Sequence, residues 1–342
     1  MYKIKKMKVI KRIGVLTSGG DSPGMNAAIR AVVRAGVHNN IEVFGIRQGY
    51  KGMIDNEISL LNSKDVANIL HRGGTFLKTA RSNRFKTEEG RKKAYLNLKK
   101  HNIDALIIIG GDGSFRGANQ FSKEFDIPVI GIPGTIDNDM YGTDYCIGYD
   151  TALNTVVEAV DKIRDTAGAH NRLFFIEVMG RDSGFLALRS GIATGAEAVL
   201  VPEKETHINE LKQYLNDDYS RKKSSGIIIV AEGDDVGGAY KIAELVKKDY
   251  KHYDDIRVTV LGHIQRGGSP SAFDRNLASF LGIHAVTGLI NGKTNVMVGL
   301  VHKSPVYTPI EQSTKHNKRV NPELLNCITV LNAYETTNNN IL

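Results

Sequence analysis

The chain has no tryptophan, two cysteines and eight prolines among its 342 residues. Cys146 and Cys327 match neither a disulfide framework nor a metal-ligand pattern, so we expect a reducing compartment and a cytoplasmic protein. No uninterrupted apolar run reaches the ~18 residues that a membrane-spanning helix needs, so we expect no membrane association. The basic amino-terminal segment resembles the start of a signal peptide. Lys11 and Arg12 interrupt its apolar part, however, and a first strand explains it better.

Acidic residues are outnumbered, with 37 Asp and Glu against 45 Lys and Arg, which leaves a net charge of +8. Such an excess suits anionic partners, either nucleic acids or small phosphorylated molecules. The sequence has no alternating basic and aromatic residues and no nucleic-acid-binding motif, so we expect phosphorylated small molecules and no nucleic acid. A solubilising surface explains the lysine-rich segments 3–12 and 91–100 equally well.

Glycine is abundant, with 35 residues, and it repeatedly follows short apolar runs. These runs are rich in Ile and Val, which is typical of parallel strands covered on both faces. The runs with their loops are RIGVLTSGGDSPG (12–24), DALIIIGGDGSFRG (104–117), IPVIGIPGTIDND (127–139), RLFFIEVMGRDSG (172–184) and GIIIVAEGDDVGG (226–238).

Helical patterns lie between these runs, for example at 25–37, 87–101 and 151–167. The alternation predicts the α/β class with doubly wound, mostly parallel sheets. The sequence contains more predicted strands than one domain accommodates, so we expect two α/β domains. We also expect the chain to cross between these domains more than once. In such folds the loops that leave the carboxyl ends of the strands line the binding crevice.

Two of these loops have the features of phosphate sites. The segment TSGGDSPGMN (17–26) places glycines after a strand and opens a helix near Pro23, where backbone N–H groups bind phosphate. A tight turn requires glycine as well, so this segment alone does not decide. In IIIGGDGS (107–114) Gly111 and Gly113 flank Asp112, which suits a magnesium ligand beside phosphates. The alternative for Asp112 is a helix N-cap.

The segment PGTIDNDM (133–140) follows another apolar run. By itself an acidic loop is usually a solvated turn. Beside a phosphate and a metal, however, Asp137 becomes a candidate base that accepts the proton of a substrate hydroxyl, and Thr135 offers a hydroxyl to phosphate. Asp139 could orient its neighbours or approach the metal.

Several arginines lie in or beside predicted loops, where a guanidinium binds phosphate with two hydrogen bonds. A single loop arginine is usually only a surface residue. In VLGHIQRGGSP (260–270), His263 and Arg266 follow a β-branched run and precede two glycines, which favours an anion site over a buried histidine. The arginines are Arg81, Arg172, Arg181, Arg257 and Arg266.

Five motifs together resemble the bacterial ATP-dependent 6-phosphofructokinases, and the resemblance extends from about residue 9 to about residue 300. In order they are SGGDSPGMNAAIR, GGDGS, PGTIDNDMYGTDY, MGRDSG and LGHIQRGGSP. The resemblance implies transfer of the ATP γ-phosphate to the 1-hydroxyl of fructose 6-phosphate. It also implies a homotetramer with active sites shared between subunits. We expect an ATP-binding domain at 1–148 and 265–315, and a sugar-phosphate domain at 149–264 and 316–342.

The resemblance also implies a role for individual residues. Asp137 corresponds to the catalytic base, assisted by Thr135 and Arg181, and Asp112 corresponds to the Mg²⁺ ligand. The residues implied for ATP are Gly20, Arg81, Ser82, Gly111, Asp112, Gly113 and Ser114. Those implied for the sugar phosphate are Thr135, Asp137, Met179, Gly180, Arg181, Glu232, His263 and Arg266, with Arg172 and Arg257 lent by a neighbouring subunit.

The phosphoryl donor depends on two glycines. Pyrophosphate-using relatives have Asp and Lys at the positions of Gly113 and Gly134, so these glycines favour ATP. A pyrophosphate-dependent enzyme is the first alternative. A catalytically silent nucleotide-binding regulator is the second, disfavoured because Asp112 and Asp137 are both present. A basic nucleic-acid binder is the last, and its binding would weaken steeply with salt.

The resemblance finally implies an effector site for ADP or phosphoenolpyruvate. Two departures put regulation in doubt, because Ser63 stands where an arginine is expected and Asn68 where Asp is common. Ser82 likewise replaces an aromatic residue or cysteine. The carboxyl-terminal segment 327–342 is longer than is typical, and we assign it no function. The implied effector residues are Arg30, Arg34, Arg164, Gly195, Glu197, Arg221 and Lys223.

Overall fold

A computed structural model describes residues 9–169, 172–220, 226–248, 255–316 and 318–331, with the main chain alone at 217–220 and 329. The chain divides into two compact units. The first contains the residues up to Ala152 together with Arg266–Lys318, and the second contains Leu153–Gln265 together with the residues from Arg319 onward. Which ligand each unit binds remains a prediction.

The described residues form eleven strands in two sheets. The strands are β1 (Arg12–Thr17), β2 (Glu42–Ile46), β3 (Ile58–Leu61), β4 (Ala105–Gly110), β5 (Val129–Pro133), β6 (Arg172–Val178), β7 (Ala198–Leu200), β8 (Gly226–Ala231), β9 (Asp255–Val260), β10 (Val296–Val301) and β11 (Ser304–Pro309).

They also form eleven α-helices and two short 3₁₀ turns, at Arg84–Lys86 and Gly262–Arg266. The helices are α1 (Met25–His38), α2 (Gly49–Asp55), α3 (Glu88–Lys100), α4 (Asp112–Phe125), α5 (Tyr149–Gly168), α6 (Phe185–Thr194), α7 (Ile208–Ser220), α8 (Ala239–Lys247), α9 (Ala272–Ile290), α10 (Ile310–Lys315) and α11 (Pro322–Leu331).

The first unit contains a seven-stranded sheet in the order β11-β10-β5-β4-β1-β2-β3. It is parallel except at its edges, where β3 and β11 are antiparallel to their neighbours. Successive residues of β4 alternate between the two faces. Ile107 and Ile109 pack with α1 and α9, whereas Leu106 and Ile108 pack with α2, α3 and α4. Helices therefore cover both faces, which explains why this strand is apolar throughout.

The second unit contains a four-stranded sheet in the order β7-β8-β6-β9, and all its described strand pairs are parallel. Its core includes Phe175 of β6, Ile228 of β8, Leu215 of α7 and Ile242 of α8. The predicted α/β class with mostly parallel sheets is confirmed.

Strand order changes direction between β1 and β4, because β2 lies on one side of β1 and β4 lies on the other. Such a switch point is where open α/β sheets bind ligands, beyond the carboxyl ends of the strands. Among the described helices, none is long and apolar enough to cross a membrane. Cys146 is buried, Cys327 is partly exposed, and both are free thiols.

Candidate active site

Three loops of the first unit meet where β1, β4 and β5 end. The backbone N–H of Ser18 donates to the carbonyl oxygen of Ile109 at 3.0 Å, and that of Gly134 donates to Gly110 at 3.0 Å. The loops that start at Ser18, Gly111 and Gly134 are therefore neighbours at the switch point of the sheet. Their residues were assigned to ATP, to magnesium and to the base.

The first loop closes tightly around glycine. A Cβ at Gly20 would lie 2.6 Å from Nη1 of Arg266, so a larger residue would displace that guanidinium. Arg266 also donates to the carbonyl oxygen of Asp21 at 3.4 Å. Arg266 was assigned to the sugar phosphate, and its guanidinium lies against the loop assigned to ATP. Helix α1 begins at Met25, two residues after Pro23, where the sequence predicted a helix start, and it follows a left-handed Gly24 with φ of 103°.

The second loop places Asp112 at the start of α4, directly after the N-cap Gly111. The carboxylate of Asp112 accepts two hydrogen bonds from Arg116, at 3.0 Å and 2.8 Å, one turn further along the helix. A Cβ added at Gly113 would meet no atom within 4 Å. The open space therefore lies at Gly113, beside the partly exposed carboxylate of Asp112, and this suits a single magnesium-ligating carboxylate beside phosphates. The described residues contain no group of three or more metal-ligating side chains.

The third loop carries Thr135 and Asp137, and both are buried. The hydroxyl of Thr135 accepts the backbone N–H of Asp137 at 3.2 Å. A Cβ on Gly111 would lie 3.6 Å from Cβ of Thr135, so the second and third loops pack against one another. Asn138 has φ of 54°, and its Oδ1 accepts the N–H of Cys146 at 2.9 Å. Asn138 was not predicted, although the D-N-D pattern contains it.

The segment with Arg81 and Ser82 is joined to the other loops. The hydroxyl of Thr79 donates to the carbonyl oxygen of Gly19 at 2.5 Å. Arg81 itself is exposed, and Oγ of Ser82 accepts the N–H of Phe85 at 3.3 Å.

Phe85 then stacks on Tyr50, with ring centroids 4.0 Å apart. The hydroxyl of Tyr50 donates to the carbonyl oxygen of Ser114 at 2.5 Å. Burial raises the pKa of Tyr50 well above its ordinary value, so this phenol stays protonated as a donor. The residues of the first unit that were predicted for ATP, magnesium and the base, from Gly20 to Asp137, therefore lie at the carboxyl-terminal edge of its sheet.

In the second unit, the loop after β6 is held by two acceptors. Glu232 Oε1 accepts the N–H groups of Gly180 at 3.3 Å and Arg181 at 2.7 Å. Gln265 Oε1 accepts the N–H of Met179 at 3.1 Å. Arg181 is left-handed, with φ of 55°, a conformation that a non-glycine residue adopts mainly where surrounding contacts require it. Sequence reasoning missed Gln265, although it lies in the HIQRGG motif beside the exposed His263.

Arg172 and Arg257 lie elsewhere on this sheet. Arg172 is the first residue of β6, and Arg257 lies inside β9 rather than in or beside a loop. Both guanidinium groups face Asp255, whose Oδ2 is 3.4 Å from Nε of Arg172 and 2.5 Å from Nε of Arg257. The signal for Asp255 was its position two residues before Arg257, on the same face of a strand.

Within the second unit, the predicted sugar-phosphate residues therefore form two separate groups. One group lies in and around the loop that starts at Met179, and the other consists of Arg172 and Arg257. Met179 follows the last residue of the seven-residue strand that Arg172 begins. Seven strand residues span roughly 20 Å. One small ligand cannot contact both ends of this strand within a single unit.

The predicted effector residues are also divided. In the second unit, Arg164 donates to the carbonyl oxygens of Thr194 at 2.7 Å and Gly195 at 3.1 Å, and it lies 3.8 Å from Glu197. The buried Glu197 accepts the N–H of Ile227 at 2.5 Å. Arg164 therefore binds carbonyl groups at the end of α6, and its effector role stays a prediction.

Arg30 and Arg34 lie one turn apart on α1 in the first unit. Burial, and then the charge of Arg34, lower the pKa of Arg30 below its ordinary value. Arg221 and Lys223 lie outside the described residues, as does the end of the carboxyl-terminal segment, 332–342.

These features define an α/β protein with glycine- and aspartate-bearing loops at a switch point of the sheet, an arrangement that suits phosphate ligands. Comparison with known proteins agrees, because the family model described as phosphofructokinase matches residues 12–289. The chain belongs to the phosphofructokinase family.

Two bacterial relatives are similar over almost their whole length. "ATP-dependent 6-phosphofructokinase 2" of Bacteroides thetaiotaomicron is 55% identical over 325 residues, which cover 95% of this chain and 99% of the relative. "ATP-dependent 6-phosphofructokinase 1" of Thermus thermophilus is 54% identical over 322 residues, which cover 94% and 99%.

A solved structure of phosphofructokinase from Saccharomyces cerevisiae is similar with a TM-score of 0.85 and 37% identity. The match covers 94% of this chain and 47% of the yeast chain, so this chain spans about half the yeast chain's length.

Proposed function

We propose that this chain transfers the γ-phosphate of ATP to the 1-hydroxyl of fructose 6-phosphate, which gives fructose 1,6-bisphosphate and ADP. The observation that carries the proposal is the adjacency of two loops. Asp112 and Asp137 follow neighbouring parallel strands whose ends are joined by the hydrogen bond from Gly134 to Gly110, at 3.0 Å. Phosphoryl transfer requires such a pairing of a metal-binding carboxylate with a base.

In the proposed reaction the 1-hydroxyl oxygen attacks the γ-phosphorus, and the bond from that phosphorus to the ADP oxygen breaks. Asp137 accepts the hydroxyl proton as the new bond forms. Thr135 orients the loop through the N–H of Asp137 and presents its hydroxyl to phosphate, and Arg181 stabilises the charge of the transferred group. Magnesium held by Asp112 would neutralise charge on the phosphates.

Gly113 supports ATP as the phosphoryl donor more strongly than Gly134 does. The space around Gly113 is open, so packing does not require glycine there. A Cβ at Gly134 would lie 3.1 Å from Ile109 and 3.2 Å from Met25, which gives that glycine a packing reason of its own. Packing therefore explains the glycine at position 134 but not the glycine at position 113. Room for a nucleotide is the explanation that we propose for Gly113.

The proposal includes shared active sites. Since Arg172 and Met179 lie at opposite ends of β6, we propose that Arg172 and Arg257 bind the sugar phosphate held by a neighbouring copy, in a homotetramer. Glu232 and His263 would bind the sugar in the copy that carries them. A cytoplasmic location and an effector response to ADP or phosphoenolpyruvate complete the proposal.

The test is a coupled assay for fructose 1,6-bisphosphate, with fructose 6-phosphate and Mg²⁺ and with either ATP or pyrophosphate as the donor. We expect turnover with ATP alone, and a loss when Mg²⁺ is chelated. Asp137→Ser should reduce kcat by about 10²–10⁴-fold, the range for a positioned acid–base group. Asp144→Ser is the matched control, because in the part of the chain that the structure describes its carboxylate accepts the N–H of His302 at 2.9 Å, outside the candidate site. Turnover with pyrophosphate alone would overturn the donor assignment, and no turnover with either donor would favour a silent regulator.

A further inference from the structure

A short segment connects the loop of Asp137 to a buried carboxylate far along the chain. Three successive backbone N–H groups make its hydrogen bonds. Cys146 donates to Oδ1 of Asn138 at 2.9 Å, Ile147 donates to the carbonyl oxygen of Pro133 at 2.9 Å, and Gly148 donates to Oδ1 of Asp274 at 2.8 Å. The segment 146–148 is therefore bonded to both ends of the loop that contains Asp137, and to Asp274 as well.

Asp274 is fully buried, with 0% of its surface exposed. Its second carboxylate oxygen accepts the N–H of Thr151 at 2.8 Å and the Thr151 hydroxyl at 2.5 Å. Both oxygens thus fix the first turn of α5, directly after Gly148. Replacing a buried carboxylate that accepts three hydrogen bonds lowers the stability of the protein, because each donor would lose its partner.

The loop assigned to ATP packs on the same residues. A Cβ at Gly148 would lie 2.5 Å from Cβ of Ser22, and a Cβ at Gly24 would lie 3.6 Å from Cβ of Asp274. Asp274 therefore lies behind both the first and the third loop of the candidate site. Its position allows one carboxylate to hold the two loops in fixed relation.

We propose that Asp274 is a positioning residue for phosphoryl transfer, which holds Asp137 in place through the segment 146–148. Among the described residues, the carboxylate of Asp274 accepts its hydrogen bonds from Gly148 and Thr151, and neither residue is assigned to ATP, to metal or to sugar. The inference rests on the proposed function, since it takes Asp137 as the base. Its reason is geometric, because small displacements of a reacting group reduce rates strongly when a bound substrate must be aligned.

The central variant is Asp274→Asn, which keeps the shape of the side chain. The amide can still accept from one donor, but its NH₂ group would face a second donor and break half of the network. Asp104→Asn is the matched control. Asp104 also accepts two backbone N–H groups, from Lys11 at 2.9 Å and Arg12 at 3.1 Å, but at the amino end of β1, where none of the site loops begins.

We expect Asp274→Asn to reduce kcat by about 10–100-fold, while the KM values for ATP and fructose 6-phosphate change by less than about threefold. Asp104→Asn should lower the melting temperature and leave kcat unchanged. Equal effects of the two variants on kcat would reduce Asp274 to a structural residue and overturn the proposal. Unchanged kcat in Asp274→Asn would also overturn it, whereas an inactive wild-type enzyme would instead refute the proposed function.

A double-mutant cycle tests the route through the segment 146–148. Asn138→Ala removes the acceptor for Cys146, so it loosens the same segment from its other end. The double variant should lose little more activity than the worse single variant, because both act on one connection. Multiplied losses would mean that Asp274 acts by another route and would overturn the proposal. If Asp274→Asn does not fold, Thr151→Val removes the hydroxyl that donates to Asp274 and accepts the N–H of Ser271 at 2.9 Å. This variant should reduce kcat by a smaller factor than Asp274→Asn, and an unchanged kcat there counts against the proposal.

Discussion

The backbone N–H of Gly134 donates to the carbonyl oxygen of Gly110 at 3.0 Å, where two parallel strands end. This bond sets the loop of Asp112 beside the loop of Asp137. The relation depends on sheet register, which is strongly specified in a buried parallel sheet. The two acidic residues can therefore be tested separately by changes that leave the sheet intact.

Changes at Asp112 and Arg116 should alter the magnesium requirement in opposite directions. Asp112→Asn removes the proposed ligand, so the Mg²⁺ concentration for half-maximal activity should rise by at least about tenfold. Arg116→Gln removes the cation that pairs with this carboxylate at 2.8 Å, so that concentration should fall by about two- to threefold, the range of a partly exposed ion pair. Magnesium titrations at saturating ATP measure both values, and a shift in the same direction for both variants would contradict the assignment.

Substitutions at Gly113 and Gly134 should separate the choice of donor from stability. Because a Cβ at Gly113 meets open space, Gly113→Asp should fold normally and lower kcat/KM for ATP by at least about tenfold, through repulsion of the phosphates. A Cβ at Gly134 lies within 3.2 Å of two buried side chains, so Gly134→Ala should instead lower the free energy of unfolding by roughly 1–3 kcal/mol. Paired denaturation and kinetic measurements check this. Full ATP activity in Gly113→Asp would show that this glycine does not set the donor.

The sequence predicts the strands better than it predicts the contacts that hold the site. Continuous apolar runs correctly predicted β1, β4, β5, β6 and β8. Strands β2, β7 and β10 were not predicted. The antiparallel edge strands β3 and β11 were also not predicted, because β3 has four residues and β11 contains prolines, which edge strands tolerate. Gln265 and Asp274 were not predicted either, and the reason is different. Their partners Met179 and Gly148 lie 86 and 126 residues away, and local pattern carries no signal over such separations.

The buried Asp274 should make stability depend on pH in an unusual direction. Burial raises the pKa of Asp274 to about 6, although bonds from Thr151 and Gly148 lower it and Asp150 raises it further. The folded protein then binds this proton more tightly than the unfolded chain, whose Asp pKa is about 3.9. The contribution to stability is therefore complete below pH ~4 and is lost as pH rises to ~6, by roughly 3 kcal/mol.

Asp274→Asn lacks this titration, and other carboxylates cancel when the two proteins are compared. The difference in free energy of unfolding, wild type minus variant, should fall between pH 4.5 and 6.5 and stay level above pH ~7. Denaturant unfolding at fixed protein concentration measures it at each pH. A difference that rises with pH would mean that the three hydrogen bonds outweigh burial and lower the pKa of Asp274.

If the active sites are shared between subunits, a mixture of two inactive variants should regain activity. Asp137→Ser lacks the base. Arg172→Ala lacks a cation at the first residue of β6, at the end of the strand opposite to Met179. If each site takes Asp137 from one copy and Arg172 from a neighbour, refolding the two variants together in equal amounts should restore about a quarter of the sites. The coupled assay, run at a low concentration of fructose 6-phosphate, measures the recovery. A mixture of Asp137→Ser with Asp112→Asn is the control, because both residues follow adjacent strands of one sheet in the same copy and no mixed site regains both. Recovery in the control mixture, or none in the first, would show that Arg172 does not serve a neighbouring copy.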